Sequence, residues 1–347
     1  MQRCLQLAEL AAGKVAPNPM VGAVLRYNDR IIGEGYHQQF GKAHAEVNCI
    51  ASVKLEDIPL ISEATLYVSL EPCAHFGKTP PCTDLIIRHR IPAVVIGCRD
   101  PFSEVDGKGI AKLEAAGVAV TVGVLERKAR ILNRRFFTFH EKKRPYVILK
   151  WAQSADLKIG STVQRLMISN EFSNRLVHRW RSEEASILIG TETAIKDNPQ
   201  LSTRLWPGSS PTRLVVDMNR RLPPGLKLFD GSQKTIVFNA VRHGEEDGLI
   251  FYKLNRDVEL IPQLMEAFFN LNIQSVLVEG GARMLQSFNG SGAWDEARVI
   301  TNSQLRLDAG HAASNLISAP TLSYAVMDHA LDIDNDTIVF FKRDEGI

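Results

Sequence analysis

Three potential metal ligands, one histidine and two cysteines, occur early in the chain. His44 stands two residues before Glu46, Cys73 follows a proline, and Cys82 comes nine positions later. An imidazole and two thiolates are donors that zinc selects, and three protein ligands leave a fourth position open for water. Because catalytic zinc sites keep an open position, the pattern predicts a catalytic zinc site formed by His44, Cys73 and Cys82.

The spacing restricts where these residues lie in the fold. Residues two apart on a regular helix point roughly 200° away from each other, because the helix has about 3.6 residues per turn. His44 and Glu46 can therefore face one ion only if His44 lies at a junction between a loop and a helix. Cys73 and Cys82 each follow proline, which predicts that both lie at helix starts, where exposed N–H groups stabilise a thiolate.

The chemistry expected at such a site is hydrolytic. Zinc lowers the pKa of coordinated water toward ~7, and Glu46 is the predicted catalytic residue, because a carboxylate there can move protons between water, a ring nitrogen and departing ammonia. The H-x-E motif at residues 44–46 and the P-C motif at residues 72–73 are typical of zinc nucleobase deaminases. One alternative stays open: His75 could be a fourth ligand of a structural zinc. The other cysteines, which lack such spacing, are expected in the core: Cys4, Cys49 and Cys98.

The length and charge of the chain limit its organisation and its ligands. A chain of 347 residues suits two domains, and a charged stretch that ends at Pro145 predicts the domains 1–144 and 145–347. The net charge of +2 is too small for a nucleic-acid surface, so a small-molecule substrate is expected. No apolar run suits a membrane span and no signal peptide is recognisable, which predicts a cytoplasmic protein without membrane contact.

Strands alternate with helices in both halves, which predicts an α/β fold with largely parallel sheets. In residues 1–144 the predicted strands are 20–25, 30–35, 65–69, 93–97 and 118–122, and the predicted helices are 43–53, 82–89, 108–116 and 125–140. In residues 145–347 the predicted strands are 146–152, 186–189, 213–217, 235–239, 276–278 and 337–341, with a helix over 170–181.

Four sequence motifs in the first half make the pattern more specific. They are NPMVG at 18–22, GEGYH at 33–37, HAEVN at 44–48 and EPCAHFGKTPPC at 71–82. In this order they resemble the deaminase half of the bifunctional deaminase–reductases of riboflavin biosynthesis, which has a three-layer cytidine-deaminase-like fold. The resemblance implies deamination of a diaminopyrimidinone that carries a ribosylamino 5′-phosphate. It also implies that Asn18 lines the base pocket, although a turn residue would look the same. His75, Lys78 and Thr79 could touch the ring or phosphate, or be solvated loop residues.

The second half carries a more scattered set of motifs: KWAQSAD at 150–156, GTET at 190–193, DNPQL at 197–201, VD at 216–217 and EGGARM at 279–284. None matches the G-x-G-x-x-G fingerprint of a standard dinucleotide fold. The set is similar to the reductase half of the same family, which has a dihydrofolate-reductase-like fold, uses NADPH and forms homodimers. The implied cofactor-binding residues are Gln153, Thr193, Asp197, Gly281, Ala282, Arg283 and Met284. The implied substrate-binding residues are Arg181, Leu201, Arg204 and Glu279.

Two departures from the family pattern concern the reductase half. Leu157 stands where the family usually has glycine, and Met167 stands where a tryptophan is usual. Since leucine disfavours positive φ, the loop after Asp156 is expected to take another path. The alternative function is therefore a deaminase with a degenerate reductase domain. A tRNA or nucleoside deaminase is the other alternative, which the near-neutral charge disfavours.

Overall fold

The computed structural model describes residues 1–76, 80–164, 166–308 and 312–344. The chain forms two compact units, Met1–Lys143 and Arg144–Ile347. In the described part of the first unit the strands are β1 Gly22–Tyr27, β2 Arg30–Tyr36, β3 Thr65–Val68, β4 Ala93–Ile96 and β5 Ala119–Val122. The helices are α1 Gln2–Glu9, α2 Ala45–Ala51, α3 Cys82–Arg88, α4 Lys108–Ala115, α5 Glu126–Leu132 and α6 Arg134–Lys142, with a 3-10 helix at Leu55–Glu63.

The sheet of the first unit has the strand order β2-β1-β3-β4-β5. Strand β1 is antiparallel to both of its neighbours, whereas β3, β4 and β5 are parallel. Four strands therefore point one way and β1 alone is reversed, because β1 and β2 form a hairpin. The prediction of a largely parallel sheet is right for strand direction, but half of the pairings are antiparallel.

Helix α2 lies directly on strand β2. An added Cβ at Gly35 would be 2.2 Å from the backbone nitrogen of Cys49, and one at Gly33 would be 2.6 Å from the carbonyl oxygen of Cys49. Only glycine permits so close an approach of helix and strand backbones. Cys49 is fully buried at this contact, and Cys4 and Cys98 are buried too, as predicted.

The predicted helix over 125–140 is wrong in one respect, since two helices cover this stretch. Helices α5 and α6 meet at Asn133, which is buried and non-helical. Its side chain accepts a hydrogen bond from the Met20 N–H and donates one to the Met20 carbonyl, both at 2.8 Å. A contact with the segment before β1, far away in the sequence, therefore interrupts a helix that local sequence favours.

In the described part of the second unit the strands are β6 Tyr146–Ser154, β7 Lys158–Ser161, β8 Ser186–Gly190, β9 Thr212–Val216, β10 Thr235–Asn239, β11 Gly244–Glu246, β12 Leu249–Lys253, β13 Ser275–Gly280, β14 Glu296–Asn302, β15 Leu316–Ser318, β16 Ala325–Ile333 and β17 Asp336–Arg343. The helices are α7 Glu171–Glu183, α8 Thr191–Asp197, α9 Leu260–Asn270 and α10 Ala282–Ser291, with 3-10 helices at Lys227–Phe229 and Ala313–Asn315. None of the described helices is long and apolar enough to cross a membrane.

The main sheet of the second unit has the order β11-β12-β10-β9-β8-β13-β6-β14-β17-β16. The strands from β12 to β14 in this order are parallel to their neighbours. Strands β11, β17 and β16 add antiparallel edges. Because β8, β13, β6 and β14 are parallel neighbours, their carboxyl ends lie along one edge of the sheet, where ligands of α/β proteins bind.

The loop between β6 and β7 contradicts the expectation for Leu157. Leu157 has a φ of 58°, so the backbone keeps the left-handed conformation despite the leucine side chain. The neighbouring Asp156 carboxylate accepts hydrogen bonds from the N–H groups of Leu307 and Asp308, at 3.1 and 3.0 Å. These bonds hold the turn, and the Leu157 side chain is left more than half exposed.

Candidate active sites

The three predicted metal ligands meet in the first unit. The ligand atoms of His44, Cys73 and Cys82 lie within 4.8 Å of one another. The Nδ1 atom of His44 is 3.6 Å from the Cys73 sulfur and 3.3 Å from the Cys82 sulfur. Bond lengths of about 2.3 Å to sulfur and 2.1 Å to nitrogen in a tetrahedron place these atoms about 3.6 Å apart. The spacing and the donor set therefore fit one zinc ion.

Two helix starts and an irregular segment position the ligands. His44 is the extended residue that precedes α2, and Cys82 is the first residue of α3, both as predicted. Cys73 is not at a helix start, so that prediction is wrong; it lies in the segment between β3 and α3. Its sulfur nevertheless accepts a hydrogen bond from the Cys82 N–H at 3.4 Å. The start of α3 thus stabilises the Cys73 thiolate.

Glu46 lies in the first turn of α2, two residues after His44, and only 3% of its surface is exposed. Burial raises the pKa of its carboxyl group above the ordinary value, and the nearby Cys73 sulfur adds to the rise. A raised pKa lets a carboxyl group both accept and return a proton near neutral pH, which general acid–base catalysis requires.

The position of His75 argues against the alternative of a structural zinc site with four protein ligands. Within the described residues, the potential ligand group contains His44, Cys73 and Cys82 and does not include His75. The His75 ring instead lies edge-on to Phe102, with 6.4 Å between the ring centres. An open coordination position is therefore the arrangement that the structure supports. Lys78 and Thr79 lie outside the described residues.

Asn18 is connected to the metal-ligand group through a second histidine. The Asn18 side-chain nitrogen is 3.1 Å from Nε2 of His37, and Nδ1 of His37 is 3.0 Å from the Ala43 carbonyl oxygen. The His37 ring meets the His44 ring edge-on at 5.4 Å. Burial lowers the pKa of His37, so its neutral form is favoured. Sequence reasoning gave His37 no role, although it ends the GEGYH word.

In the second unit a buried carboxylate lies between two cations. Arg181 donates to both oxygens of Glu279, at 2.8 and 2.7 Å, and Nζ of Lys150 is 4.0 Å from Glu279 Oε2. These side chains are at most 12% exposed. Burial opposes ionisation, but Arg181 and Lys150 outweigh it and hold the pKa of Glu279 at about 2. Lys150 was missed by sequence reasoning, although it begins the KWAQSAD word.

The guanidinium group of Arg181 binds other protein groups, unlike that of an arginine whose nitrogens all face a phosphate. Two of its donor nitrogens face Glu279, and the third donates to the Ser202 carbonyl at 3.2 Å. The neighbouring His178 is fully buried, and burial together with Arg181 and Arg204 lowers its pKa to about 4. Neutral His178 therefore adds no third positive charge to Arg181 and Lys150.

Three of the predicted cofactor-binding residues, Thr193, Gly281 and Met284, lie close together after the carboxyl ends of β8 and β13. An added Cβ at Gly281 would lie 2.8 Å from the Thr193 hydroxyl, and one at Gly190 would lie 3.8 Å from Met284. The turns before α8 and α10 are thus adjacent. Gln153 lies on the neighbouring strand and donates to Thr301 at 3.1 Å.

The remaining predicted residues of the second unit differ in exposure, and Asp197 and Ala282 are partly buried. Asp197 ends α8, and the helix that follows Gly281 contains Ala282 and the exposed Arg283. Arg204 is exposed. Leu201 is different, because its side chain is buried in an apolar cluster with Ile187 and Val215 and its φ is 53°. Only the backbone of Leu201 can meet a ligand.

Two family profiles match different parts of the chain. The family profile "Cytidine and deoxycytidylate deaminase zinc-binding region" matches residues 1–98, and "RibD C-terminal domain" matches residues 145–305. Riboflavin biosynthesis protein RibD of Aquifex aeolicus is 36% identical over 99% of this chain and 97% of its own length. The chain belongs to the RibD family. RibD of Escherichia coli is 30% identical over 93% of this chain and 91% of its own length.

Solved RibD structures share the fold. The crystal structure of a diaminohydroxyphosphoribosylaminopyrimidine deaminase/5-amino-6-(5-phosphoribosylamino)uracil reductase from Thermotoga maritima is 33% identical, covers 99% of this chain and 97% of its own, and has a TM-score of 0.87. Acinetobacter baumannii RibD is 27% identical, covers 98% and 97%, and also has a TM-score of 0.87.

Membership of the RibD family confirms the predicted fold class, a deaminase domain followed by a reductase domain. The protein is a bifunctional deaminase and reductase of riboflavin biosynthesis. Its cofactors are zinc for the deaminase and NADPH for the reductase.

Proposed function

We propose that the first unit removes the ring amine of 2,5-diamino-6-ribosylamino-4(3H)-pyrimidinone 5′-phosphate, and that the second unit then reduces the ribosyl group to a ribityl chain. The geometry of His44, Cys73 and Cys82 is the observation that carries the deaminase assignment. The name of the Thermotoga maritima relative, which describes both reactions, supports the choice of substrate.

In the first unit His44, Cys73 and Cys82 would hold the metal. When bound, zinc supplies a Lewis acid that makes water acidic enough to react at neutral pH. Glu46 would move the two protons of the water in turn, one to the ring nitrogen and one to the leaving amine, so that water and the amine become a ring carbonyl and ammonia. Asn18, held by His37, would donate a hydrogen bond to the pyrimidinone.

In the second unit we assign the cofactor to the adjacent turns before α8 and α10. NADPH supplies the hydride when bound. Gln153, Thr193, Asp197 and residues 281–284 would hold it, because backbone N–H groups at a turn before a helix can meet phosphate oxygens. Arg204 would bind the sugar phosphate, the Leu201 backbone would line the same site, and the Arg181–Glu279 pair would bind the ribose hydroxyl groups.

The experiment supplies this pyrimidinone phosphate together with NADPH and follows ammonia release and NADPH oxidation separately. Both signals are expected, in a ratio of one to one. Glu46→Gln keeps the shape of the side chain and is expected to slow ammonia release by about 10²–10⁴-fold, the usual contribution of a general acid–base group. The variant should still oxidise NADPH when the deaminated intermediate is supplied. Ammonia release at the parent rate would contradict the role of Glu46.

The same experiment tests the alternative of a degenerate reductase. Leu157 keeps the left-handed turn, and this observation favours a working reductase. Met167, which stands in place of a tryptophan, is 68% exposed. Ammonia release without NADPH oxidation would support the degenerate domain.

We also propose that residues 1–144 and 145–347 are the two domains and that the protein is a cytoplasmic homodimer formed through the second domain. The outermost strand β16 supports this proposal, because Val326, Met327 and Leu331 are 43–61% exposed. Exposed apolar edge strands are candidates for pairing with another chain. Light scattering after size exclusion should give twice the monomer mass. Met327→Lys should lower the measured mass toward that of one monomer.

A further inference from the structure

Glu71 is a buried carboxylate close to the metal ligands, and neither proposed reaction uses it. It stands two residues before Cys73, and 4% of its surface is exposed. Four backbone N–H groups donate to it: those of Gly109 and Ile110 to Oε1, at 3.0 and 3.3 Å, and those of Gly107 and Asp100 to Oε2, at 3.0 and 3.3 Å.

These bonds supply what helix α4 lacks. Its N-cap residue is Gly107, which has no side chain, and its first turn contains no acidic residue. The N–H groups at a helix start need acceptors, and a negative charge is favoured there. Glu71 provides both from a position far away in the sequence. A local cap would stabilise α4 equally well, but it would not connect the helix to Cys73.

The backbone next to Cys73 is in direct contact with the same helix start. An added Cβ at Gly109 would lie 2.1 Å from the Pro72 carbonyl oxygen. Beyond Pro72, the Cys73 carbonyl accepts hydrogen bonds from the Thr83 N–H and hydroxyl, both at 3.2 Å. The segment of Cys73 is therefore fixed to α4 on one side and to α3 on the other.

We propose that Glu71 is a positioning residue, which fixes the Cys73 sulfur for the metal by binding its segment to the start of α4. The inference rests on the proposed role of Cys73 as a zinc ligand. Groups that orient metal ligands without touching the metal commonly change metal affinity by about 10–100-fold when they are replaced. Glu71 differs from such groups in acting through the backbone.

The test measures the rate at which the full-length protein, loaded with one zinc per chain, releases it to a chromophoric chelator. Glu71→Gln keeps the size but turns an amide N–H₂ toward backbone donors, so zinc release is expected to accelerate about 10–100-fold. NADPH oxidation on the deaminated intermediate should not change. Glu71→Asp keeps the charge but has a shorter reach, so its rate of zinc release should lie between those of the parent and of Glu71→Gln. It also tests the inference if Glu71→Gln does not fold.

Two further variants separate positioning from general stability. Leu113→Ala weakens the packing of α4 but leaves Glu71 in place, so it should lower the unfolding temperature without a comparable increase in zinc release. Gly109→Ala should push α4 away from Pro72 and accelerate release as Glu71→Gln does. Release at the parent rate in Glu71→Gln, or equal acceleration in Leu113→Ala, would overturn the inference. A parent protein that binds no zinc would instead overturn the proposed function.

Discussion

The buried ion pair of the second unit gives a prediction whose size can be worked out. Glu279 has a pKa of about 2 in the folded protein, against an ordinary value of 4.5. At 1.36 kcal/mol for each pKa unit, this difference corresponds to about 3 kcal/mol of unfolding free energy. Because the side chain is 8% exposed, little of this is lost to solvent screening. Glu279→Gln should therefore destabilise the second unit by about 3 kcal/mol at neutral pH.

The pH dependence has a definite sign. A carboxyl group whose pKa is lowered by folding contributes its full stabilisation above its unfolded pKa, and the contribution is lost as the pH falls toward the folded value. The difference between the parent and Glu279→Gln should thus be constant above a pH of about 4.5 and should shrink between 4.5 and about 2.

Urea unfolding followed by tryptophan fluorescence is the assay. The four tryptophans, Trp151, Trp180, Trp206 and Trp294, all lie in the second unit, so the signal reports on that unit alone. With a slope of about 1–3 kcal/mol per molar urea, the midpoint should fall by about 1 M or more. Glu192→Gln removes an exposed ion pair with Arg221 and is the matched control, with no measurable shift expected. A parent-like midpoint for Glu279→Gln would refute the reasoning.

Three further predictions follow from the sites and the β6–β7 turn. Removing zinc with a chelator should abolish ammonia release and leave NADPH oxidation on the deaminated intermediate unchanged; loss of both signals would contradict separate sites. Gly281→Ala places a methyl group 2.8 Å from the Thr193 hydroxyl and should raise the KM for NADPH roughly tenfold. Gly290→Ala, with nothing within 4 Å, should leave that KM unchanged, and equal values for the two variants would argue against the assigned turn. Leu157→Gly should raise the unfolding free energy by up to about 1 kcal/mol in the same fluorescence assay, since glycine relieves a positive φ; a loss of stability would contradict this.

The metal-ligand group could be predicted from sequence because its chemistry and its spacing both restrict it. His44 and Cys82 were expected at helix starts, and each lies beside one. Cys73 was placed at a helix start on the strength of Pro72, yet it lies in an irregular segment whose partner helix starts nine residues later. Proline marks a place where a helix can begin, and local sequence does not say whether one does.

Contacts between distant residues explain two of the other differences. Asn133 breaks the helix over 125–140 because its side chain binds Met20, which sequence spacing cannot show. Leu157 adopts a positive φ that leucine disfavours, because the N–H groups of residues 307 and 308 bind the neighbouring Asp156 carboxylate. The edge strands β11 and β16 were missed, since β11 is short and β16 is exposed along most of its length, so neither has a strong apolar pattern.

The close contact between Gly35 and α2 limits how the deaminase can be altered by directed evolution. A helix whose backbone touches a strand backbone cannot shift toward it, and any side chain added at Gly33 or Gly35 would push His44 and Glu46 out of place. New substrates are therefore better accommodated by changing the loop that precedes the fixed helix, at residues 38–43. Libraries aimed at that loop should give active variants far more often than libraries aimed at β2.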